Sequence, residues 1–99
     1  LEGALLSEVV LSEATLFWAN LIGADLRGTD LRGAKLHEAE LEGANLQCDN
    51  LQWADLKGAN LSKANLEWAN LSGANVTDEQ LAQAQSLKGA TMPDGTKHE

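Results

Sequence analysis

Residues 11–76 read LSEAT LFWAN LIGAD LRGTD LRGAK LHEAE LEGAN LQCDN LQWAD LKGAN LSKAN LEWAN LSGAN V. In this frame a large aliphatic residue returns at every fifth position without a gap. An alanine or a near-substitute stands two places before nearly every one. A period of five suits neither regular element. On an α-helix, steps of about 100° per residue would carry the leucines around the whole cylinder. On a straight strand, side chains alternate faces, so every second leucine would point to water. All of them point inward only if the chain bends once per pentad, always in the same sense. The geometry that results is a solenoid whose walls are very short strands, with each coil stacked on the next at about 4.8 Å.

The other pentad positions agree with this reading. Let c be the central aliphatic residue. Position c−2 is alanine at 24, 34, 39, 44, 54, 59, 64, 69 and 74, among others. A small inward residue between large ones lets a narrow core fill without voids. Position c−1 holds every asparagine, from Asn20 to Asn75. Asparagine tolerates turn-like backbone and hydrogen-bonds its own local main chain. Position c+2 holds Gly3, Gly23, Gly28, Gly33, Gly43, Gly58 and Gly73. A tight corner that needs positive φ favours glycine there.

The segments GADLR (23–27), GANLQ (43–47), GANLS (58–62) and WANLS (68–72) resemble the A(D/N)LXX consensus of the pentapeptide-repeat family. One such segment would mean nothing; the specificity lies in the tandem recurrence. The resemblance implies an all-β fold, a right-handed quadrilateral parallel β-helix with four pentads per coil. Residues 1–76 would then form about four coils.

Length and composition set outer bounds. A chain of 99 residues is a single domain at most. Its net charge of −8 argues against nonspecific binding to nucleic acid or to an anionic membrane, and suits a basic partner. The acids are scattered over outward positions rather than blocked, as on a solvated surface that keeps rods apart. The single cysteine, Cys48, rules out an internal disulfide framework. No apolar run approaches membrane-spanning length and no secretory signal is visible. The chain opens at Leu1, inside a repeat, so an upstream segment is expected. The compartment stays open, with the cytoplasm slightly favoured.

The first two pentads are degenerate. Leu5 and Val10 occupy c−1, which is polar later, and Val9 occupies c−2. Phe17, Trp18 and Ile22 fall on outward c+1 or c+2 positions. Such excess apolar surface marks a covered or interacting region. It is the seat of further N-terminal coils or a cap, of a homodimer contact, or of a specific partner. Trp18, Trp53 and Trp68 take c+2, where glycine is otherwise favoured. Stacking arithmetic puts them on three different edges of the coil, where they pack along corners or contact a partner. The candidate interaction surface is therefore Leu5, Val10, Phe17, Trp18, Ile22, Trp53 and Trp68.

Two polar residues, Thr29 and Asp49, intrude at the inward c−2 position and lie one coil apart. The expectation is that the Thr29 hydroxyl donates to the Asp49 carboxylate and lowers the cost of burying it. Cys48 falls at a corner with no CxxC spacing and no His beside it, and His37 stands alone at an outward position. No residue is expected to be catalytic, cofactor-binding or metal-binding, and no cofactor is expected.

The repeat ends at Val76. Thr77-Asp78-Glu79-Gln80 reads as a capping box opening a helix. That helix is expected across residues 77–87, with Leu81, Ala84 and Leu87 facing the last coil as a C-terminal cap. Residues 88–99 are expected to be a tail with a Pro93-Asp94-Gly95 turn and a mobile His98.

No GxSxG, HExxH or P-loop occurs, and no GxGxxG follows a strand. The expected function is a non-enzymatic structural or protein-interaction module: a rigid acidic β-helix displaying faces to an unknown protein partner, with no direct nucleic-acid or membrane binding. The family resemblance implies one alternative, a DNA-mimicking inhibitor or protector of DNA gyrase. Acidity fits that alternative. The short array, the interruptions at Arg27, Arg32, Lys35, Lys57 and Lys63, and leucine centres where gyrase-directed members often carry phenylalanine count against it.

Overall fold

The computed structural model describes residues 2–98. Parallel β-bridges join residues 20 apart without interruption, from Leu5↔Asp25, Val10↔Asp30, Thr15↔Lys35 and Asn20↔Glu40 to Asp55↔Asn75. Every bridging residue is a c−1 residue. The wall strands are thus single-residue contacts, four to a coil, and the corners between them do the turning.

The pentad around Leu46 shows how each backbone donor is satisfied. Leu46 N–H donates forward to Asn65 O at 2.8 Å, and Cys48 N–H donates forward to Glu67 O at 2.9 Å. Asn50 N–H donates backward to Thr29 O at 3.1 Å. Asp49 N–H closes a turn onto Leu46 O at 3.1 Å. Gln47 N–H, which faces no neighbouring coil, donates to Asn45 Oδ1 at 3.1 Å. All five N–H groups have partners, as a close-packed backbone requires. The last bond explains the asparagines. The same side-chain acceptor recurs at Asn50, Asn60, Asn65 and Asn70, and at Asp25, Asp30 and Asp55.

The turn from each c to the following c−2 has a positive φ at its third residue, c+2, the requirement of a type II turn. Glycines fill many of these corners, with φ between 65° and 72° from Gly3 to Gly73. Glu8, Glu13, Trp18, Glu38, Cys48, Trp53, Lys63 and Trp68 adopt the same left-handed backbone at φ of 57° to 64°. A non-glycine residue there costs about 1–2 kcal/mol. The remaining contacts of the coil hold these residues in place.

The inward residues stack into one core. Leu26, Leu36, Leu41, Leu46, Leu56, Leu66 and Leu71 are fully buried, with alanines 24, 34, 39, 44, 54 and 64 between them. In the first coil Leu6, Leu11 and Leu16 pack against this core and are only partly buried.

Beyond Val76 the structure departs from the expected boundaries. Helix α1 spans Asp78–Ala82, with Thr77 as N-cap. Gln80 N–H donates to Thr77 Oγ1 at 3.1 Å and Thr77 N–H to Gln80 Oε1 at 2.9 Å, which completes the capping box. The helix ends at Ala82 rather than near Leu87, because the coil resumes there. Ser86 bridges Asn65 and Thr91 bridges Asn70, a spacing of 21. Leu87-Lys88-Gly89-Ala90-Thr91 is a further pentad, displaced by one residue, with Gly89 at φ 72° and Ala90 fully buried.

Residues 88–98 are therefore not a free tail. Gly95 N–H donates to Met92 O at 2.8 Å through the Pro93-Asp94-Gly95 turn. The chain then runs back antiparallel, with Thr91 bridging Lys97. His98, expected to be mobile, is tied through its backbone: His98 N–H donates to Ala90 O at 2.7 Å and Gly89 N–H to His98 O at 2.8 Å.

Leu46 tests the inward assignment. Leu46→Ala is expected to lower stability by about 2–5 kcal/mol through the cavity it leaves. Leu46→Asp is expected to cost more, because it buries an unpaired charge. Chemical denaturation of the two variants reads both effects; unchanged midpoints would refute the assignment.

Candidate interaction surfaces

The sequence-predicted surface residues do not converge on one site. Leu5 and Val10 are 84% and 70% exposed, on adjacent walls of the first coil. Phe17 packs edge-on against His37, one coil on, with ring centroids 5.8 Å apart. Ile22 is half-buried. The three tryptophans occupy three different corner columns, each still more than half exposed.

Their orientation follows from the corner geometry. A side chain at c+2 leans over the corner of the next coil. A Cβ built on Gly73 would come within 2.5 Å of Trp53 Cδ1, and one built on Gly89 would collide with the Trp68 ring. The same relation sets Glu13 over Gly33 and Glu38 over Gly58. Trp53 and Trp68 therefore each lay part of the ring over a bare glycine corner and leave the rest of the side chain more than half exposed. Lys97 stands 5.9 Å from the Trp68 ring centroid, so the return strand covers part of that corner with a cation–π contact. A shallow groove of about 330 Å³ lies over Gly28, lined by Ser7, Glu8, Arg27, Gln47 and Cys48. Stacking residues 8, 28 and 48 in the sequence carries the signal for this groove, a glycine between two side chains.

The acidic walls are partly neutralised. Arg27 Nη2 meets Asp25 Oδ2 at 2.7 Å, and Arg32 Nη2 meets Asp30 Oδ2 at 2.7 Å, each pair bidentate through Nε as well. The side-chain hydrogen bonds from the guanidinium groups hold both carboxyls below the usual range. Both pairs are exposed, so their contribution is to local charge rather than to stability.

Inside the coil, the Thr29–Asp49 contact differs from the expected one. Asp49 Oδ1 accepts from the Thr29 backbone N–H at 2.8 Å, while the Thr29 hydroxyl donates to Leu6 O at 3.0 Å. The hydroxyl reaches the preceding coil, where a carbonyl is in range, and leaves the carboxylate to the amide. Asp49 is 1% exposed, and its Oδ2 has no partner among the described residues. Burial pushes this carboxyl up to about 8, against the Thr29 amide, which favours the charged form. Cys48, next to it, is exposed at its corner. Among the described residues no group of His, Cys, Asp and Glu is placed to hold a metal ion. No helix among them is long and apolar enough to cross a membrane.

Pentapeptide repeats match this sequence in 8 copies, over residues 1–33, 10–47 and 50–84. The chain belongs to the pentapeptide-repeat family. Its members are right-handed β-helices, structural repeat proteins rather than typical enzymes. A similar solved structure is the pentapeptide-repeat protein Rfr23 of the cyanobacterium Cyanothece 51142. It is 38% identical with a TM-score of 0.76, over 98% of this chain and 62% of that one. Another is alr5209 of Nostoc PCC 7120, at 41% identity and TM-score 0.68, over 84% of this chain and 64% of that one. HetL of Nostoc sp. strain PCC 7120, a pentapeptide-repeat protein involved in regulating heterocyst differentiation, matches at 40% identity and TM-score 0.50 over 99% of this chain. The chain spans less than two thirds of each of these proteins, 51% in the case of HetL. No curated protein sequence matches.

Two measurements check this pentapeptide-repeat geometry. Gly43→Ala, which meets nothing within 4 Å, should cost only the left-handed backbone term, about 1–2 kcal/mol. Gly73→Ala should cost more, because Trp53 must move, and the excess should vanish in a Trp53→Ala background. A double-mutant cycle reads this coupling, expected to be at least about 0.5 kcal/mol.

The second measurement concerns Asp49. The folded chain keeps a proton on this carboxyl that the unfolded chain, at the ordinary value of 3.8, releases. Stability contributed by the raised carboxyl is present below about pH 4. It declines by about 1.4 kcal/mol per pH unit as pH rises through the window from 3.8 to about 8, and is level above it. Asp49→Ala should remove that slope and be neutral or stabilising near pH 7, since the Thr29 amide keeps Leu26 O at 3.1 Å as a second acceptor. Denaturation midpoints of both proteins across that range check the sign. A loss above about 2 kcal/mol at pH 7 would make the carboxyl integral to the core.

Proposed function

We propose that this chain is a non-enzymatic display scaffold: about four coils of rigid β-helix, closed at the C-terminal end by α1, whose outer faces engage a protein partner. One observation carries the reading. The interior is filled with stacked leucine and alanine, so the variable side chains, Thr29 and Asp49 apart, stand outside, in straight columns 20 residues apart. Such a body positions groups along flat walls with little freedom, and binding by preorganised surface is what that geometry supports best. The two solvent-facing tryptophan corners, Trp53 and Trp68, are anchors of the kind that dominate interface energies. In support of the cap, Gln80 Nε2 donates to Leu56 O at 2.7 Å and to Ala59 O at 2.9 Å, and Leu81 is buried against the last coil.

The net charge of −8 sustains a second reading, an acidic rod that takes the place of duplex DNA on gyrase. The Arg27–Asp25 and Arg32–Asp30 pairs weaken it, because they remove charge from adjacent walls. A gyrase supercoiling assay with increasing amounts of this protein, at two salt concentrations, separates the two. The scaffold reading expects no inhibition at micromolar protein. Inhibition that fades with salt would replace it with DNA mimicry.

A further inference from the structure

One wall of the solenoid differs from the other three. Asp30, Asn50, Asn70 and Thr91 bridge one another along it, and Gln52 and Ser72 stand beside the two asparagines in their rows. From Asn50 onward this wall carries no ionisable side chain, in a chain of net charge −8. At neighbouring heights the other walls carry Glu67 and Lys88, Asp55 and Lys57, and Glu40 and Glu42. Both corners that bound the neutral wall hold a tryptophan. Trp68 stands at the corner before Asn70, and Trp53 at the corner after Gln52, leaning over Gly73. They are 52% and 66% exposed, although Lys97 takes part of the Trp68 ring.

The backbone orients the asparagines of this wall. Gln52 N–H donates to Asn50 Oδ1 at 3.2 Å, and Ser72 N–H donates to Asn70 Oδ1 at 3.0 Å. An N–H is answered only by the oxygen end of a carboxamide, so the Nδ2 end of each is left as a donor. Neither Nδ2 has a partner among the described residues. The wall thus offers hydrogen-bond donors, no charge, and an indole at either edge.

We propose that this wall is the docking site for a proline-rich segment of a partner protein in the polyproline II conformation. The proposal rests on the scaffold reading and names the partner chemistry that this wall fits. Such a segment makes no internal hydrogen bonds, so its carbonyls are open acceptors, and its prolines bring no N–H to oppose the Nδ2 donors. It needs no charge on the wall, and its pyrrolidine rings pack on aromatic side chains. The spacing agrees as well. Three residues per turn at about 3.1 Å each put prolines i and i+3 on one side, roughly 9 Å apart. A wall of about three extended residues is roughly 10 Å across. A Pro-x-x-Pro segment laid over it sets one proline on Trp53 and the other on Trp68, with the intervening carbonyls above Asn70. Both partners are preorganised, so little ordering is left to oppose binding. A glycan donates as much as it accepts, and a charged peptide finds no counter-charge here.

Isothermal titration calorimetry of the 99-residue chain with end-capped decaproline tests it. The expected result is saturable binding that changes little between low and high salt, because the wall is uncharged. Trp53→Ala and Trp68→Ala should each weaken it at least about tenfold. Trp18→Ala, at a corner of another wall, should leave it unchanged. Asn70→Asp separates binding from folding. An aspartate at this position still accepts from the amide two residues on, as Asp30 Oδ1 does from Arg32 N–H at 3.2 Å. Circular dichroism should therefore be unchanged, while the outward donor becomes an acceptor and binding falls about tenfold. A Gly-Ser peptide of the same length should not bind. No saturable binding at millimolar decaproline overturns the proposal. So does binding that survives both tryptophan substitutions or ignores Asn70→Asp, equal binding of the Gly-Ser peptide, or binding of a cello-oligosaccharide in place of decaproline. Failure to bind decaproline leaves the scaffold reading intact, since that reading falls on gyrase inhibition.

Discussion

A left-handed residue at every fifth position is the constraint on which the rest of this structure depends. It closes each turn, sends the next alanine and leucine inward, and aims the intervening amides up and down the solenoid axis. Where the residue is glycine the conformation is free of Cβ strain. At Glu38, Cys48, Trp53 and Trp68 it is not, and these corners persist because the bonds to the coils on either side over-determine them. The asparagine or aspartate at c−1 completes the corner by accepting from the amide that neither a neighbouring coil nor the turn itself satisfies. Core, corner and side-chain acceptor are therefore one repeating device.

That device also decides where function can reside. Stacked leucine and alanine fill the interior, and Asp49, the buried ionisable group among the described residues, is enclosed by a core whose burial raises its carboxyl and favours the neutral form. Chemistry is thereby confined to the outside. There the repeat converts sequence spacing into position: residues 20 apart share a column, and a large side chain at one corner shelters the corner above it. Trp53 over Gly73 and Trp68 over Gly89 serve packing and display together, since each ring shelters a glycine corner and is still more than half exposed.

The pentad period, the inward leucines and alanines and the Thr77 capping box were legible in the sequence because each is local and recurs. The stretch after the helix was not, although LKGAT at 87–91 is itself a pentad. The helix shifts the phase by one residue, and a reader holding the original frame sees only a tail. The pairing of Thr29 with Asp49 followed from stacking arithmetic, but the atoms did not. Which donor reaches the carboxylate depends on the carbonyl of Leu6 on the other side, a contact no periodicity encodes. The candidate surface was legible only as a set of exposed apolar residues. The structure distributes them over adjacent walls and three corners, and periodicity says nothing of what covers them.

The central claim is the register, and contacts between leucine methyl groups in solution test it most directly. Nuclear Overhauser measurements on the labelled chain should connect Leu46 with Leu26 and with Leu66, each 20 residues away. Past the helix they should connect Leu66 with Leu87, 21 away, in keeping with the Leu66 N–H donating to Ser86 O at 2.9 Å. Contacts at those spacings are the predicted result. No contact between Leu46 and Leu26 or Leu66, or none between Leu66 and Leu87, would contradict the account.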